Sequence, residues 1–402
     1  MKKSRFTNIR AWITTICTAL FFFYWFIQLS LNNTLHDFYI TKFHIVSYGF
    51  FTSMYLIGNV IMFMPAGLIL DKYKTKRVVV ISLFLMVLGV LGLYLVNNKI
   101  LAYFCMLLVG FSGTFSLLSV LRMAVKVFPL EKVAFPIGLS ITLGMCGGLI
   151  GNSLGDYLFR IFNSGEFVQV LNVLLGGGIL VIIVLFVKEP EMNNNSNEVL
   201  NRGIFEVLTT VLKNHQNWYA GLYMSLLNLP IMILDFSFGQ QYLKSVFHQS
   251  SASAATISSM IFIGFIIASP VFGKLSDMFG LRKPLMIFGS ICLFISLSVL
   301  GFDHSISLLG LILIFFFIGI VSSAQSLGYP VISESNDSSV VATANAIGSL
   351  LIMGGGAVAQ NIFGMIQLGV GYKIAYYILP IGALFAILLS TVIKETGWKR
   401  VD

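Results

Sequence analysis

The sequence predicts an all-α polytopic membrane protein, with twelve transmembrane helices arranged as two six-helix pseudo-symmetric bundles. Three observations carry that reading. Of the residues, 57% are hydrophobic and 10% charged, with a mean hydropathy of +0.90, against about 25% charged in an ordinary soluble domain. Twelve apolar windows are each long enough to cross a hydrocarbon core, which takes about 20 helical residues. The chain also repeats at an offset of 206 residues. Gly67 and Asp71, followed by Lys72, Lys74, Lys76 and Arg77, return as Gly273 and Asp277, followed by Gly280, Arg282 and Lys283. Gly58 pairs with Gly264, Gly148 with Gly354, Lys188 with Lys394, and Glu189 with Glu395 at the same offset. A repeat of hydrophobic segments spanning half the chain implies a membrane carrier of the secondary-transporter kind.

Taken in order, the windows are 11–33, 46–70, 78–96, 101–124, 133–157, 168–187, 217–243, 252–274, 284–302, 306–331, 340–367 and 372–393. Backbone in lipid must bond within its own segment, so each window reads as a helix. The first lacks a small-residue cleavage site after its basic start and is expected to be retained. Residues 1–187 form the first bundle, 188–216 a polar linker rich in Asn, and 217–402 the second bundle. The linker reads as a tether between two moving bundles, with a helix-compatible stretch from Val199 to Leu212 that could lie along the membrane face.

Orientation follows from the basic residues. With the N-terminus inside, 20 of the 25 Lys and Arg residues fall on the cytoplasmic side. That predicts both termini in the cytoplasm and a multi-pass protein of the cell inner membrane. The net charge of +9 then reflects topology and contact with anionic lipid, not nucleic-acid binding. Cys17, Cys105, Cys146 and Cys292 all fall inside predicted spans without paired spacing, and read as small buried hydrophobes. No ATP-binding loop, metal pair or nucleophile constellation appears. The reading is therefore of a non-enzyme without cofactor or metal, driven by an ion or substrate gradient.

At this point the chain resembles the major facilitator superfamily. The resemblance rests on six plus six helices, the linker, and the Gly-x-x-x-Asp motif with basic residues after helices 2 and 8. Phe128-Pro129, Pro270-Val271-Phe272-Gly273 and the aromatic run from Phe21 to Phe26 resemble bacterial uptake carriers. The nearest subgroup suggested is the phagosomal amino-acid and nucleoside transporters, with the related lysosomal dipeptide carriers. The resemblance implies that the motif residues latch the cytoplasmic gate: Gly67, Asp71, Lys76 and Arg77 in the first copy, Gly273, Asp277, Arg282 and Lys283 in the second. Asp71 would act beside helix 11, whose start Ser338 and Ser339 could cap, and Asp277 beside helix 5. The glycines are read as allowing helices 2 and 3, or 8 and 9, to approach closely. Thr75, near where the second copy has Gly280, leaves the first turn less defined.

Helices 1, 4, 7 and 10 collect the polar residues and line the central path in the resembling family. Tyr24, Gln28 and Asn32 share a helical face, as do Asn228 with Asp235, Ser322 with Gln325 and Tyr329, and Ser112 with Ser116 and Ser119. For the serines, hydrogen bonding within the bundle is the simpler reading. Together these faces predict a substrate site for a small polar molecule at Tyr24, Gln28, Asn32, Asn228, Asp235, Ser322, Gln325 and Tyr329. Asp235 stands out, because an intramembrane carboxylate is costly without a task. It could carry a coupled proton, with Asp156 a weaker candidate, or pair with a substrate ammonium. Arg122 reads equally as a topology charge or an anion site.

The sequence thus predicts a monomeric secondary transporter for an amino acid, dipeptide or nucleoside-like solute. Its partners would be the lipid bilayer and H+ as coupling ion, in proton-coupled uptake by rocker-switch alternating access. An exporter of a drug or siderophore-like compound is the alternative, and a non-transporting membrane sensor on the same fold the alternative of another class.

Overall fold

In the computed structural model the described residues are 8–45, 48–189, 203–302 and 305–397, and among them every regular element is helical. The linker residues 190–202 and the Asp303-His304 pair lie outside the described residues. Among the described residues eleven helices are long and apolar enough to cross a membrane: Ile9–Asn32, Phe50–Lys72, Thr75–Leu95, Lys99–Val127, Ala134–Gly151, Gly165–Phe186, Ser251–Phe279, Lys283–Phe302, Leu308–Glu334, Val341–Val370 and Tyr372–Val392. A twelfth is a bent pair, His215–Asp235 with Gly239–Phe247, turning through 66° at the break. In chain order the bent pair is the seventh span.

That bend departs from the single helix expected over 217–243, and its causes are local. Pro230 has no N–H to continue the ladder. The next five residues, Ile231–Asp235, wind as a π-helix, with the Phe236 N–H bonded to the Ile231 carbonyl at 3.0 Å. Gly239 then allows a very tight turn, since a Cβ there would fall 1.7 Å from the Leu234 carbonyl oxygen. The carbonyls freed by the break find other donors: Ser258 Oγ bonds Leu234 O at 2.5 Å and Gln360 Nε2 bonds Met232 O at 2.8 Å. Pro and π-bulges are established causes of such kinks.

The chain forms two compact units. The first comprises residues 1–129, 143–209 and 338–346; the second comprises 130–142, 210–337 and 347–402. In the first, span 2 packs on span 4, span 3 on spans 4 and 6, and span 1 on spans 4 and 6. In the second, span 8 packs on span 10, span 9 on spans 10 and 12, and span 7 on spans 10 and 12. The repeat in the sequence is thus a repeat in packing. The tightest of these contacts use glycine to bring backbones together. A Cβ on Gly58 would fall 2.7 Å from Leu107 O, and one on Gly264 would fall 2.2 Å from Phe316 O. Outward-facing Leu, Ile, Val and Phe side chains along the spans remain exposed, as a lipid-facing surface requires. All four cysteines are free thiols, Cys17 buried and the others half-buried.

Candidate functional site

The duplicated motif builds one device twice. Span 11 begins at Val341 and span 5 at Ala134, so the cap positions are Val340 and Val133, which have no side-chain oxygen. A helix that starts this way leaves its first N–H groups without acceptors. The motif aspartates supply them from another helix. Asp71 accepts from the N–H groups of Ala342 at 3.0 Å and Thr343 at 2.8 Å, and from the Thr343 hydroxyl at 2.6 Å. Asp277 accepts from Ala134 N–H at 3.2 Å and Phe135 N–H at 2.8 Å. A carboxylate at a helix N-terminus also complements the dipole. The cap on span 11 is therefore Asp71, not Ser338 or Ser339.

The motif glycines make these caps reachable. A Cβ on Gly67 would lie 2.7 Å from Thr343 Cα, and one on Gly273 would lie 2.5 Å from Ala134 O. This corrects the expected packing: the close approach is to the starts of spans 11 and 5, not to spans 3 and 9.

The two aspartates differ in their charged partners. Asp277 takes its counterion from its own turn, Arg282 NH1 at 2.7 Å. Arg282 is fully buried and holds Glu334 through NH2 at 2.8 Å, Ser276 Oγ at 2.8 Å and Leu130 O at 3.2 Å. Burial alone would lower its pKa, but Glu334 and then Asp277 outweigh that and hold the guanidinium above its ordinary value. Asp71 takes Arg122 from span 4, with both side chains buried, and Arg122 NH2 also bonds the Asp71 carbonyl at 3.0 Å. Lys76 and Arg77 are thus not its ion-pair partners, and Arg122 is a structural counterion, not a free topology charge. The reason lies in the turn. The second copy has Gly280 in the left-handed region at φ 67°, and a longer loop that swings Arg282 back; the first copy has no residue of positive φ there.

A second pair of carboxylates closes the same ends. Glu189 accepts from the N–H groups of Thr75 and Lys76, both at 3.0 Å, at the start of span 3. Glu395 accepts from Arg282 N–H at 2.8 Å and Lys283 N–H at 3.0 Å, at the start of span 9. Lys76 and Lys283 in turn donate to the carbonyls of Val184 and Thr391, 2.8 and 2.6 Å away in the last turns of spans 6 and 12. Glu189 also holds the Lys126 ammonium at 2.5 Å. Burial pushes its carboxyl up, but Lys126 and the two backbone donors prevail and hold it below its ordinary value. The offset pairing of Glu189 with Glu395 is the sequence signal for this arrangement.

The polar residues of the spans fall into separate sets. In the first unit, Gln28 and Asn172 exchange amide bonds of 2.8 and 2.9 Å, and the Tyr24 hydroxyl donates to the Asn172 carbonyl at 3.1 Å. Asn172 lies in the apolar sequence of span 6, outside the polar faces by which the other site residues are read. Asn32 is buried, its carbonyl accepting from the Tyr48 hydroxyl. Ser112 and Ser119 bond carbonyls of their own helix. Asp156 lies in the helix Ala134–Phe162, its side chain outside the described residues.

In the second unit, Gln325 donates to Asn228 Oδ1 at 3.1 Å, joining spans 10 and 7. Residues Ser323–Leu327 wind as a 3₁₀-helix, in which positions three apart align, so Ser322 and Gln325 share a face. The Tyr329 hydroxyl meets Ser349 Oγ at 3.2 Å. The Asn228 amide nitrogen and the Ser322 and Ser326 hydroxyls are buried without a hydrogen-bond partner among the described residues. Asp235 ends the π-helix, half-buried, and among the described residues it has no hydrogen-bond or ion-pair partner. The π turn shifts it out of the α-helical register with Asn228 that a straight helix would give. Trp25 Nε1 is a further buried donor without an acceptor among the described residues, within an aromatic group with Phe22, Phe26 and Tyr55.

No curated protein sequence matches this chain. Among solved structures it is similar to a Major Facilitator Superfamily transporter, FucP, crystallised in the outward conformation, with a TM-score of 0.76 at 16% identity, over 96% of this chain and 99% of that one. It is also similar to a single-residue variant of the E. coli fucose:proton symporter FucP, with a TM-score of 0.73 at 16% identity, over 94% and 98% of the two chains. At that identity the likeness is one of fold. The sequence profile of the Major Facilitator Superfamily matches residues 12–242 and 221–397, nearly the whole length, and the chain belongs to that superfamily of membrane transporters.

Proposed function

We propose that this transporter takes up a small polar metabolite, of amino-acid, dipeptide or nucleoside-like chemistry, together with a proton. It would work by rocker-switch alternating access across the inner membrane as a monomer, with both termini in the cytoplasm. Residues 1–187 and 217–402 act as the two bundles and 188–216 as the linker. The subgroup resemblance to phagosomal amino-acid and nucleoside transporters points to the same solutes. The observation that carries the reading is Asp235, a carboxylate without a partner among the described residues, at a break in span 7. An isolated ionised carboxylate among apolar spans is unfavourable, so such a group either takes up a proton or meets a cationic group of the solute. In the second unit Asn228, Gln325, Ser322 and Tyr329 offer neutral donors and acceptors for the solute. In the first unit the proposed solute contacts are Tyr24, Gln28 and Asn32, of which Tyr24 and Gln28 must first release Asn172. The solved relative named as a fucose:proton symporter supports coupling by analogy of fold. Asp71 and Asp277, with their basic partners, serve as gating latches.

The test begins with a thermal-shift screen of the purified protein against amino acids, dipeptides and nucleosides, since a ligand stabilises the state it binds. With the hit in proteoliposomes, Asp235→Asn is expected to abolish pH-driven accumulation and to spare counterflow exchange, which moves no net proton. Loss of both together assigns Asp235 to a substrate ammonium. Full pH-driven uptake at normal apparent affinity would overturn both roles.

A further inference from the structure

Between spans 6 and 7 lies the helix Ile204–Lys213, ten residues long and so too short to cross a bilayer. Its apolar residues Ile204, Phe205, Val207, Leu208, Val211 and Leu212 fill one arc, with Glu206, Thr209, Thr210 and Lys213 on the other. The described residues cover only one edge of the apolar arc. Val207 and Val211 are buried, whereas Ile204 is 58% exposed, Leu212 44% and Phe205 87%. The uncovered edge is continuous with the span that follows. The Trp218 indole N–H donates to the Leu212 carbonyl at 2.9 Å, and Trp218 and Leu222, one turn apart, are exposed on the outward face of span 7.

What covers the outward apolar face of a span is lipid, and Trp concentrates where hydrocarbon meets headgroups. We infer that this helix lies in the membrane interface, its Phe205 edge sunk among the acyl chains of the leaflet on the linker side. Glu206, Thr209 and Lys213 face the headgroups and water. The occupant of the uncovered face is therefore the bilayer itself, which a short helix of strong apolar–polar contrast fits. The inference is independent of the solute and of the role of Asp235.

It is tested on the full chain with its four native cysteines replaced, reconstituted into phosphatidylcholine vesicles. Nitroxide labels are placed singly through Phe205→Cys, Thr209→Cys, Leu212→Cys and Lys213→Cys. Collision with dissolved oxygen, which concentrates in hydrocarbon, is compared with collision with a water-soluble nickel chelate. Oxygen is expected to dominate at 205 and 212, and nickel at 209 and 213. Dominance of nickel at 205 and 212 would overturn the inference in favour of a solvated linker helix. Weak collision with both reagents at those two positions would overturn it in favour of a protein contact.

Discussion

Replacing Asp71 by Asn should open the cap on span 11 more than Asp277→Asn opens the cap on span 5, although the two motifs look alike in sequence. Asp71→Asn removes the charge opposite Arg122, which is buried and has no other carboxylate among the described residues. Removing one partner of a buried pair costs about 3–5 kcal/mol, because the remaining charge is left uncompensated. Asp277→Asn leaves Arg282 still held by Glu334 at 2.8 Å, so the main loss is hydrogen bonding to Ala134 and Phe135, about 1–3 kcal/mol. A difference of about 2 kcal/mol corresponds to roughly 30-fold in the population of the opened cap. The assay is maleimide labelling of Val340→Cys and Val133→Cys, both at buried cap positions, in a background without other cysteines. Labelling at 340 should rise with Asp71→Asn far more than labelling at 133 rises with Asp277→Asn. Adding Arg122→Gln to Asp71→Asn should slow labelling again, because no unpaired charge then remains. Equal rises at the two sites, or none at either, would refute the account of Asp71 as the one carboxylate that pairs with Arg122 among the described residues.

Glu189 gives a pH-dependent prediction. Its folded-state carboxyl sits below the ordinary value of 4.5, so its stabilisation is complete above that pH and is lost as pH falls through the folded value. The melting-temperature gap between the native protein and Glu189→Gln should be steady near neutrality and shrink on acidification below about pH 4.5; a gap that widens there would contradict the ion pair with Lys126. Gly239→Ala should lower thermal stability by about 1–3 kcal/mol, because its Cβ would strike the Leu234 carbonyl 1.7 Å away. Gly177→Ala, with nothing within 4 Å, should be neutral to slightly stabilising by up to about 1 kcal/mol. Equal thermal shifts for the two alanines would remove the steric reason for the glycine.

The spans were legible because lipid leaves so few options: apolar length alone marks them. The paired helix caps were legible as a repeated Gly and Asp, but not in their partners. Nothing local distinguishes Arg122 from other basic residues near the ends of spans. Its role appears only when span 4 is brought against span 2, where burial leaves Asp71 needing a cation. Likewise, Ser338 and Ser339 satisfy the composition of a cap, yet the helix begins two residues later and takes its cap from another span. The break at Asp235 was masked by the apolar run itself. Pro230 signalled it, but the acceptors' new donors that make the break tolerable, Ser258 and Gln360, come from spans 8 and 11.

The two units also use their polar residues differently, and under the proposed function the difference bears on where selectivity would reside. In the first unit the amides are reciprocally satisfied: Gln28 with Asn172, and Gln169 between Tyr39 and the Val90 carbonyl, at 3.2 and 3.0 Å. A group whose donors and acceptors are already matched gains nothing from a solute unless it first lets go of its partner. In the second unit the buried Asn228 amide nitrogen and the Ser322 and Ser326 hydroxyls have no hydrogen-bond partner among the described residues, and neither does the half-buried Asp235 carboxylate, on helices interrupted by π and 3₁₀ turns. Unmatched buried groups are unfavourable in the empty protein and are relieved by whatever matches them, so they discriminate strongly among solutes. Irregular backbone is also easier to displace than a continuous α-helix, which suits the part of a carrier that must accept and release its load. By this argument, Asn228→Leu should weaken solute binding more than Asn172→Leu does. Asn172→Leu should lower thermal stability more, because Gln28 would lose its matched partner and be left buried.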